Sequence, residues 1–265
     1  MNWNNKIALV TGASSGIGWV TAEYLAARGL RVALTARRAD RLAELAECIT
    51  AAGGTALALP ADLRDATARE GVLAAIREQW GPVEVLINNA GLGWGGDFAA
   101  MPWETAETLL DVNIAALTHL TRLVLPDMLA RREGWIVNIG SIAGDTPTSD
   151  LALYCATKSF VHAFTEGLYR NLRGTGVCMA MVNPGPVVSE FGAVAYNWSE
   201  EKSKQHGTPT VAVARAVWRA LDKRRKRLYV PGYLGVGRWL NLLLEWPMDR
   251  GLYNTLRKVM EFLAR

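Results

Sequence analysis

The feature that most constrains this chain lies almost at its start. Lys6-Ile7-Ala8-Leu9-Val10 reads as a buried strand, and it runs directly into Thr11-Gly12-Ala13-Ser14-Ser15-Gly16-Ile17-Gly18. A helical pattern follows at once, with Val20, Tyr24, Leu25 and Ala27 expected toward a sheet. Glycines permit a tight turn and a close backbone approach, and the first turn of the new helix offers N–H groups with no partner in the helix. That combination suits the pyrophosphate of a dinucleotide. Gly12, Ser14, Ser15, Gly16, Ile17 and Gly18 are therefore the candidate phosphate cradle. The alternative is a strand-to-helix turn that uses glycine for its backbone freedom alone.

The second strand, Arg31-Val32-Ala33-Leu34-Thr35-Ala36, bears on which dinucleotide. About 20 positions past such a loop an acidic residue accepts hydrogen bonds from the adenosine ribose. Here that place falls near Ala36, followed by Arg37 and Arg38, with Arg41 a turn further on. Without a carboxylate nothing repels a 2′-phosphate, and guanidinium forks bind one bidentately. NADP(H) is the expected cofactor, preferred over NAD(H). The other reading makes these arginines the solvated start of a helix from Arg38 to Ala52.

Short apolar strands alternate with amphipathic helices along the chain, the pattern of a parallel sheet covered on both faces. Strands are expected near 7–11, 31–36, 55–60, 83–88, 134–140 and 177–183, with a short seventh near 228–230. Thr208 and Pro209 look like a helix start, threonine capping and proline in the first turn. A chain of 265 residues, half of them apolar, fits one α/β domain with a large core. The net charge of +4 does not demand nucleic acid. Cys48, Cys155 and Cys178 are odd in number and widely spaced, so neither a disulfide framework nor a metal site is expected. A reducing cytoplasm is the simplest home, and the first strand begins too early to leave room for a signal peptide.

Tyr154 and Lys158 stand four residues apart, so a helix places them on one face. Ser141 closes an apolar run thirteen residues earlier. An ordinary phenol titrates near pH 10, so acid/base work near neutrality needs a shift of roughly 3 units, or about 4 kcal/mol. One positive charge about 6 Å away contributes on the order of 3 kcal/mol at an effective dielectric of 20. A lysine plus one further cation suffices.

With Thr11 to Gly18, these residues carry a resemblance to the short-chain dehydrogenase/reductase family. The match runs from Lys6 to about Phe191. It includes Asp62-Leu63 after strand three, Asn88-Asn89-Ala90-Gly91 after strand four, and Asn113 inside a long helix. It continues through Ser141, Tyr154 and Lys158 to Asn183-Pro184-Gly185-Pro186-Val187 and Ser189. The resemblance implies an NAD(P)-dependent oxidoreductase acting on alcohol and carbonyl groups. The implied fold is α/β, a doubly wound parallel sheet (Rossmann fold) of seven strands with helices on both faces.

It further implies that Tyr154 gives or takes the substrate proton, that Lys158 bonds the nicotinamide ribose and assists Tyr154, and that Ser141 holds the substrate oxygen. Asn113 would hold a water in a relay to Lys158, unless it is a polar residue tucked against backbone at a mid-helix bend. Asp62 and Leu63 would face adenine, although a turn aspartate is the plainer reading. Asn89, Ala90 and Gly91 would lie at the cofactor ribose. Pro184, Gly185 and Val187 would lie beside the nicotinamide, with Ser189 in place of the family's frequent threonine at the carboxamide. The long helices near 103–131 and 150–173 would form a homodimer or homotetramer.

Specificity in such folds lies in the loops after strands four, five and six. Trp94, Phe191, Tyr196 and Trp198 there point to a lipophilic ketone or secondary alcohol, unless they serve only packing. Residues 1–222 are expected to form the catalytic domain and 223–265 a basic and apolar extension. That extension opens with Lys223-Arg224-Arg225-Lys226-Arg227 and ends on an apolar stripe of Leu252, Leu256, Val259, Met260 and Leu263. It is expected to cover the cleft or a sister subunit, with contact to a membrane surface as the alternative. Two other functions stay open: an NADP(H) sensor without turnover, and a membrane-peripheral interaction protein.

Overall fold

A computed structural model describes residues 1–192, 201 and 207–236 of the chain. Seven strands, β1 (Ile7–Thr11), β2 (Arg31–Ala36), β3 (Thr55–Pro60), β4 (Val85–Asn88), β5 (Gly134–Ile139), β6 (Val177–Pro184) and β7 (Arg227–Val230), form one sheet in the order β3-β2-β1-β4-β5-β6-β7. Every neighbouring pair is parallel. The seven-stranded doubly wound sheet expected from the sequence is the fold.

Successive residues of a strand point to opposite faces, and both faces here are apolar. Ala8, Val10, Val32, Leu34, Val85 and Ile87 join one core, while Ile7, Leu9, Ala33 and Leu86 join the other. The first core is closed by α1 (Gly16–Ala26), α2 (Ala39–Ala51) and α7 (Thr210–Asp222) through Leu25, Leu42, Leu45, Val213 and Val217. The second is closed by α3 (Ala66–Gln79), α5 (Leu117–Arg131) and α6 (Ala152–Asn171), with Val72, Ile76, Leu120, Val124 and Leu172. At the N-terminal ends of the strands, Lys6 pairs with Glu84 at 2.9 Å and Glu133 at 3.1 Å, and Trp3 packs on Trp135 and Trp218. That end is closed by structural contacts, so the C-terminal ends are left for a ligand. Because β1 lies between β2 and β4, the connections diverge there and open a crevice above β1.

Three expectations change. The buried face of α1 is Gly18, Thr21, Ala22, Leu25 and Ala26, not Val20, Tyr24 and Ala27; small residues let α1 pack closely on the sheet and on α7. α7 begins at Thr210 with Pro209 as its cap. Thr208 is instead engaged by the segment leaving β6, its N–H bonded to Pro186 O and its carbonyl to Val188 N. The helix expected near 103–131 is α4 (Trp103–Leu110), a π-turn over Asp111–Ala116, and α5. The short seventh strand expected near 228–230 is β7, which pairs with β6 at the sheet edge. Tyr196, Trp198 and the apolar stripe from Leu252 to Leu263 lie outside the described residues.

Candidate active site

The loop after β1 takes its shape from two left-handed glycines, Gly12 at φ +65° and Gly16 at φ +56°, a region that disfavours any side chain. Gly18 answers a different need. A Cβ there would lie 2.2 Å from Gly12 O and 2.5 Å from Asn89 Nδ2, so only glycine lets α1 start this close to the loop. Thr11 Oγ1 accepts from the Asn89 and Ala90 amides at 2.9 Å, and Asn89 Nδ2 donates to Thr11 O at 2.8 Å. The loops after β1 and β4 are thereby stitched into one rigid rim. Ser15 caps α1 without a side-chain hydrogen bond, which leaves the first-turn amides available to an anion.

At the end of β2, Arg37 and Arg38 both line the cleft. Arg38 donates from Nε to Ser14 Oγ and from a terminal nitrogen to Ser14 O, each at 3.2 Å, and pairs with Glu190 at 3.0 Å. Arg41 instead pairs with Glu44 on its own helix. Asp62 and Leu63 line the same cleft, but Arg64 forks both Asp62 oxygens and its amide bonds Oδ1. That fork holds the Asp62 carboxyl below the usual carboxylate range. The Asp62 side chain thus builds its own turn.

Ser141, Tyr154 and Lys158 come together at the far end of the cleft. Ser141 begins a short 3-10 turn (Ile142–Gly144), where its Oγ accepts from Ala143 N at 3.1 Å. Tyr154 and Lys158 share the inner face of α6, and all three side chains are buried. The Lys158 ammonium lies 5.8 Å from the Tyr154 ring centroid and donates to Ile139 O at 3.0 Å. Burial pushes its pKa from an ordinary 10.5 down to about 8. Phe191 covers Tyr154 with ring centroids 5.6 Å apart.

Asn113 sits in the π-turn, an insertion frequent at functional sites, and is buried. Its Oδ1 accepts from Leu92 N at 2.8 Å, while Nδ2 donates to Leu92 O at 2.9 Å and Thr157 Oγ1 at 3.0 Å. Both amide hydrogens are committed, so a relay water is not held by the donors of this side chain. Asn113 instead clamps the loop after β4 onto α6, because Thr157 Oγ1 donates in turn to Tyr154 O.

The cleft has a volume of about 420 Å³. It brings together Gly12, Ser14, Ser15, Gly16, Ile17, Arg37, Arg38, Asp62, Leu63, Asn89, Ala90, Gly91, Ser141, Tyr154, Lys158, Pro184, Gly185, Val187 and Ser189. Gly18 and Asn113 stand behind its wall. Sequence reasoning missed Thr11 and Thr157, which tie the loops, and Glu190, which meets Arg38. It also missed His162, one helical turn beyond Lys158, whose i+4 spacing on the Tyr154 and Lys158 face was a usable signal.

The family model for short chain dehydrogenases matches residues 6–200. The NADP-dependent 3-hydroxy acid dehydrogenase YdfG of Salmonella typhi is 37% identical over 219 residues, covering 80% of this chain and 87% of that protein. A short-chain dehydrogenase from Sphingobium yanoikuyae in complex with NADPH superposes with a TM-score of 0.79 at 30% identity, covering 98% of this chain and 95% of that one. A short chain dehydrogenase/reductase from Burkholderia phymatum in complex with NAD gives a TM-score of 0.86 at 26% identity, covering 94% and 98%. With the glycine loop at the sheet's crevice and Ser141, Tyr154 and Lys158 gathered beside it, this chain belongs to the short-chain dehydrogenase family of oxidoreductases.

Proposed function

We propose that the chain is an NADP(H)-dependent oxidoreductase that interconverts a carbonyl and a secondary alcohol, with Tyr154 as its acid/base. The observation that carries this reading is the burial of Ser141, Tyr154 and Lys158 together at one end of a cleft whose other end is the glycine loop. The loop fits a dinucleotide: its backbone is shaped by glycines where a Cβ would collide, and Gly91 and Lys158 line the same cleft beyond it. Arg37 and Arg38, with Ala36 where a carboxylate would repel a 2′-phosphate, support NADP(H). When bound, the nicotinamide supplies or accepts a hydride.

The protein's own residues do the rest. Ser141 Oγ donates to the substrate oxygen and holds it beside the phenol. Tyr154 gives its proton to that oxygen in reduction and receives it in oxidation. Lys158 favours the phenolate by about 3 kcal/mol at its separation from the ring, taking an effective dielectric of 20. Asn113 positions Leu92 and, through Thr157, the turn of α6 that carries Tyr154.

Around Tyr154 pack Leu92, Trp94, Leu109, Leu151, Leu153 and Phe191, of which Leu92 and Phe191 line the cleft beside the phenol. Among the described cleft-lining residues the only cations are Arg37, Arg38 and Lys158, none placed for a substrate carboxylate. A neutral carbonyl with apolar flanks fits these walls better than a free acid. The stacked rings of Phe160 and Phe164 on α6, with Phe160 exposed, support a homo-oligomer built on that helix. The unpaired Cys48, Cys155 and Cys178 support a cytoplasmic setting.

The test follows NADPH absorbance against aliphatic and aromatic ketones and aldehydes, with a free 3-oxo acid in the same panel. Turnover of neutral ketones that falls at least about 1000-fold in Tyr154→Phe, with NADPH binding retained, is expected. Turnover of the 3-oxo acid alone would overturn the substrate class. Tight NADPH binding with no turnover on any compound would favour a sensor.

A further inference from the structure

We infer that Asp145 and His162 are positioning residues for Ser141: a part-buried carboxylate and a buried imidazole that lock the Gly140–Gly144 turn onto the helix carrying Tyr154 and Lys158. The inference rests on the reading of Ser141 as the group that holds the substrate oxygen.

His162 follows Lys158 by four residues and Tyr154 by eight, so the three share one buried face of α6. Its ring packs against Gly144 and, together with the Asn183 amide, against Gly140. A Cβ on Gly140 would stand 3.0 Å from His162 Nε2, and one on Gly144 would stand 2.8 Å from both Cε1 and Nε2. These glycines bracket Ser141, so the imidazole is packed directly beneath the serine turn. Among the described residues Nε2 has no hydrogen-bond partner. What orients the ring is Nδ1, 3.2 Å from Asp145 Oδ1, and a carboxylate there places the proton on Nδ1.

Asp145 closes the same turn from the other side. Its amide donates to Ile142 O at 2.9 Å, and Ser159 of α6 donates to Gly144 O at 2.9 Å. Its second oxygen accepts from Tyr229 of β7 at 2.7 Å, and Arg227 stands 3.6 Å from the first. Burial raises the Asp145 carboxyl, but the hydrogen bonds from His162 and Tyr229 and the charge of Arg227 outweigh it, and the carboxyl stays below its ordinary range. Burial and the neighbouring Asp145 push the Tyr229 phenol up, which keeps it a donor. The carboxylate is thus a fixed acceptor that joins the serine turn, the helix and the last strand. Paired charges withdrawn from water in this way add little net stability, because desolvation offsets their attraction.

A cluster that only glued β7 to the sheet would use the Tyr229 bond, whereas a brace for Ser141 uses the His162 bond. The experiment compares Asp145→Ala, His162→Leu, His162→Asn and Tyr229→Phe, and places Asp145→Ala also in a Ser141→Ala background. The measurements are kcat with the best ketone of the panel, NADPH affinity by fluorescence, and amide exchange over residues 140–146. Asp145→Ala and His162→Leu are expected to lower kcat roughly 10- to 100-fold, the cost of a misplaced reacting group.

His162→Asn, whose amide N–H sits where Nδ1 does, recovers most of that loss, and Tyr229→Phe costs less than about 3-fold with NADPH affinity held within about 2-fold in all four. In the Ser141→Ala background the Asp145 change has almost no further effect, because its target is gone. Additive losses, or an equal loss of NADPH affinity, would overturn the brace. Exchange over 140–146 is expected to accelerate in Asp145→Ala while that of β1 does not. If the wild type turns over nothing, the reductase reading falls alone, and unchanged exchange in Asp145→Ala would still overturn this inference.

Discussion

Replacing Lys158 with methionine removes a charge from the driest part of the cleft while keeping an unbranched side chain of similar reach. Lys158 is 6% exposed, and burial lowers its pKa from 10.5 to about 8. Holding the ammonium folded at neutral pH therefore costs roughly 3 kcal/mol. Against this, the variant loses the bond to Ile139 O, worth about 1 to 2 kcal/mol including the carbonyl left unpaired. The variant is expected to be more stable than the wild type by about 1 to 2 kcal/mol at pH 7 in the absence of cofactor, and inactive.

The sign with pH follows from linkage. Between about pH 8 and 10.5 the unfolded chain still binds the Lys158 proton and the folded chain does not, so the penalty that Lys158 imposes on wild-type stability fades with rising pH across that window. Methionine has no proton to lose. The advantage of the variant thus holds in full below pH 8 and shrinks as pH climbs toward 10.5. Urea unfolding of both proteins at pH 7 and pH 10 reads the difference directly. A variant less stable than the wild type at pH 7, or a stability difference that does not change with pH, would refute the assignment of a costly buried ammonium.

Two other changes test the cofactor end of the cleft. Arg37→Ala is expected to weaken NADPH binding by roughly 10-fold or more and NADH binding hardly at all. Arg38→Ala is expected to weaken both, because Arg38 also holds Ser14 of the glycine loop; an equal loss for both cofactors in Arg37→Ala would remove the phosphate assignment. Gly18→Ala puts a methyl 2.2 Å from Gly12 O, so a loss of at least about 2 kcal/mol in unfolding free energy and of cofactor binding is expected. An alanine variant that melts like the wild type would show that α1 can shift to make room.

Much of the fold was legible because it depends on local pattern. A strand buried on both faces reads as a near-continuous apolar run, so Ile7 to Val10 and Trp135 to Val137 announce themselves. The same holds for the glycine loop, where backbone conformation restricts residue type, and for Tyr154 and Lys158, whose spacing on one helix face sets their juxtaposition. The inward face of α1 was misjudged because the helix is apolar nearly all round, leaving no periodicity to read. The start of α7 was placed too early because Thr208 looks like a cap, and only its bonds to the strand-six segment say otherwise.

The sequence by itself determined the sheet, the cofactor loop and the residues gathered in the cleft, since each follows from spacing within a few residues. The tertiary structure decided what depends on contacts between distant segments. It set Asn113 as a clamp on Leu92 and Thr157, bent Asp62 onto Arg64, and set Arg38 between Ser14 and Glu190. It also gathered Asp145, His162, Arg227 and Tyr229 from a loop, a helix and the last strand into one part-buried cluster. A side chain's hydrogen-bond partners are chosen by whichever groups folding brings within 3 Å or so, and no periodicity along the chain encodes that choice.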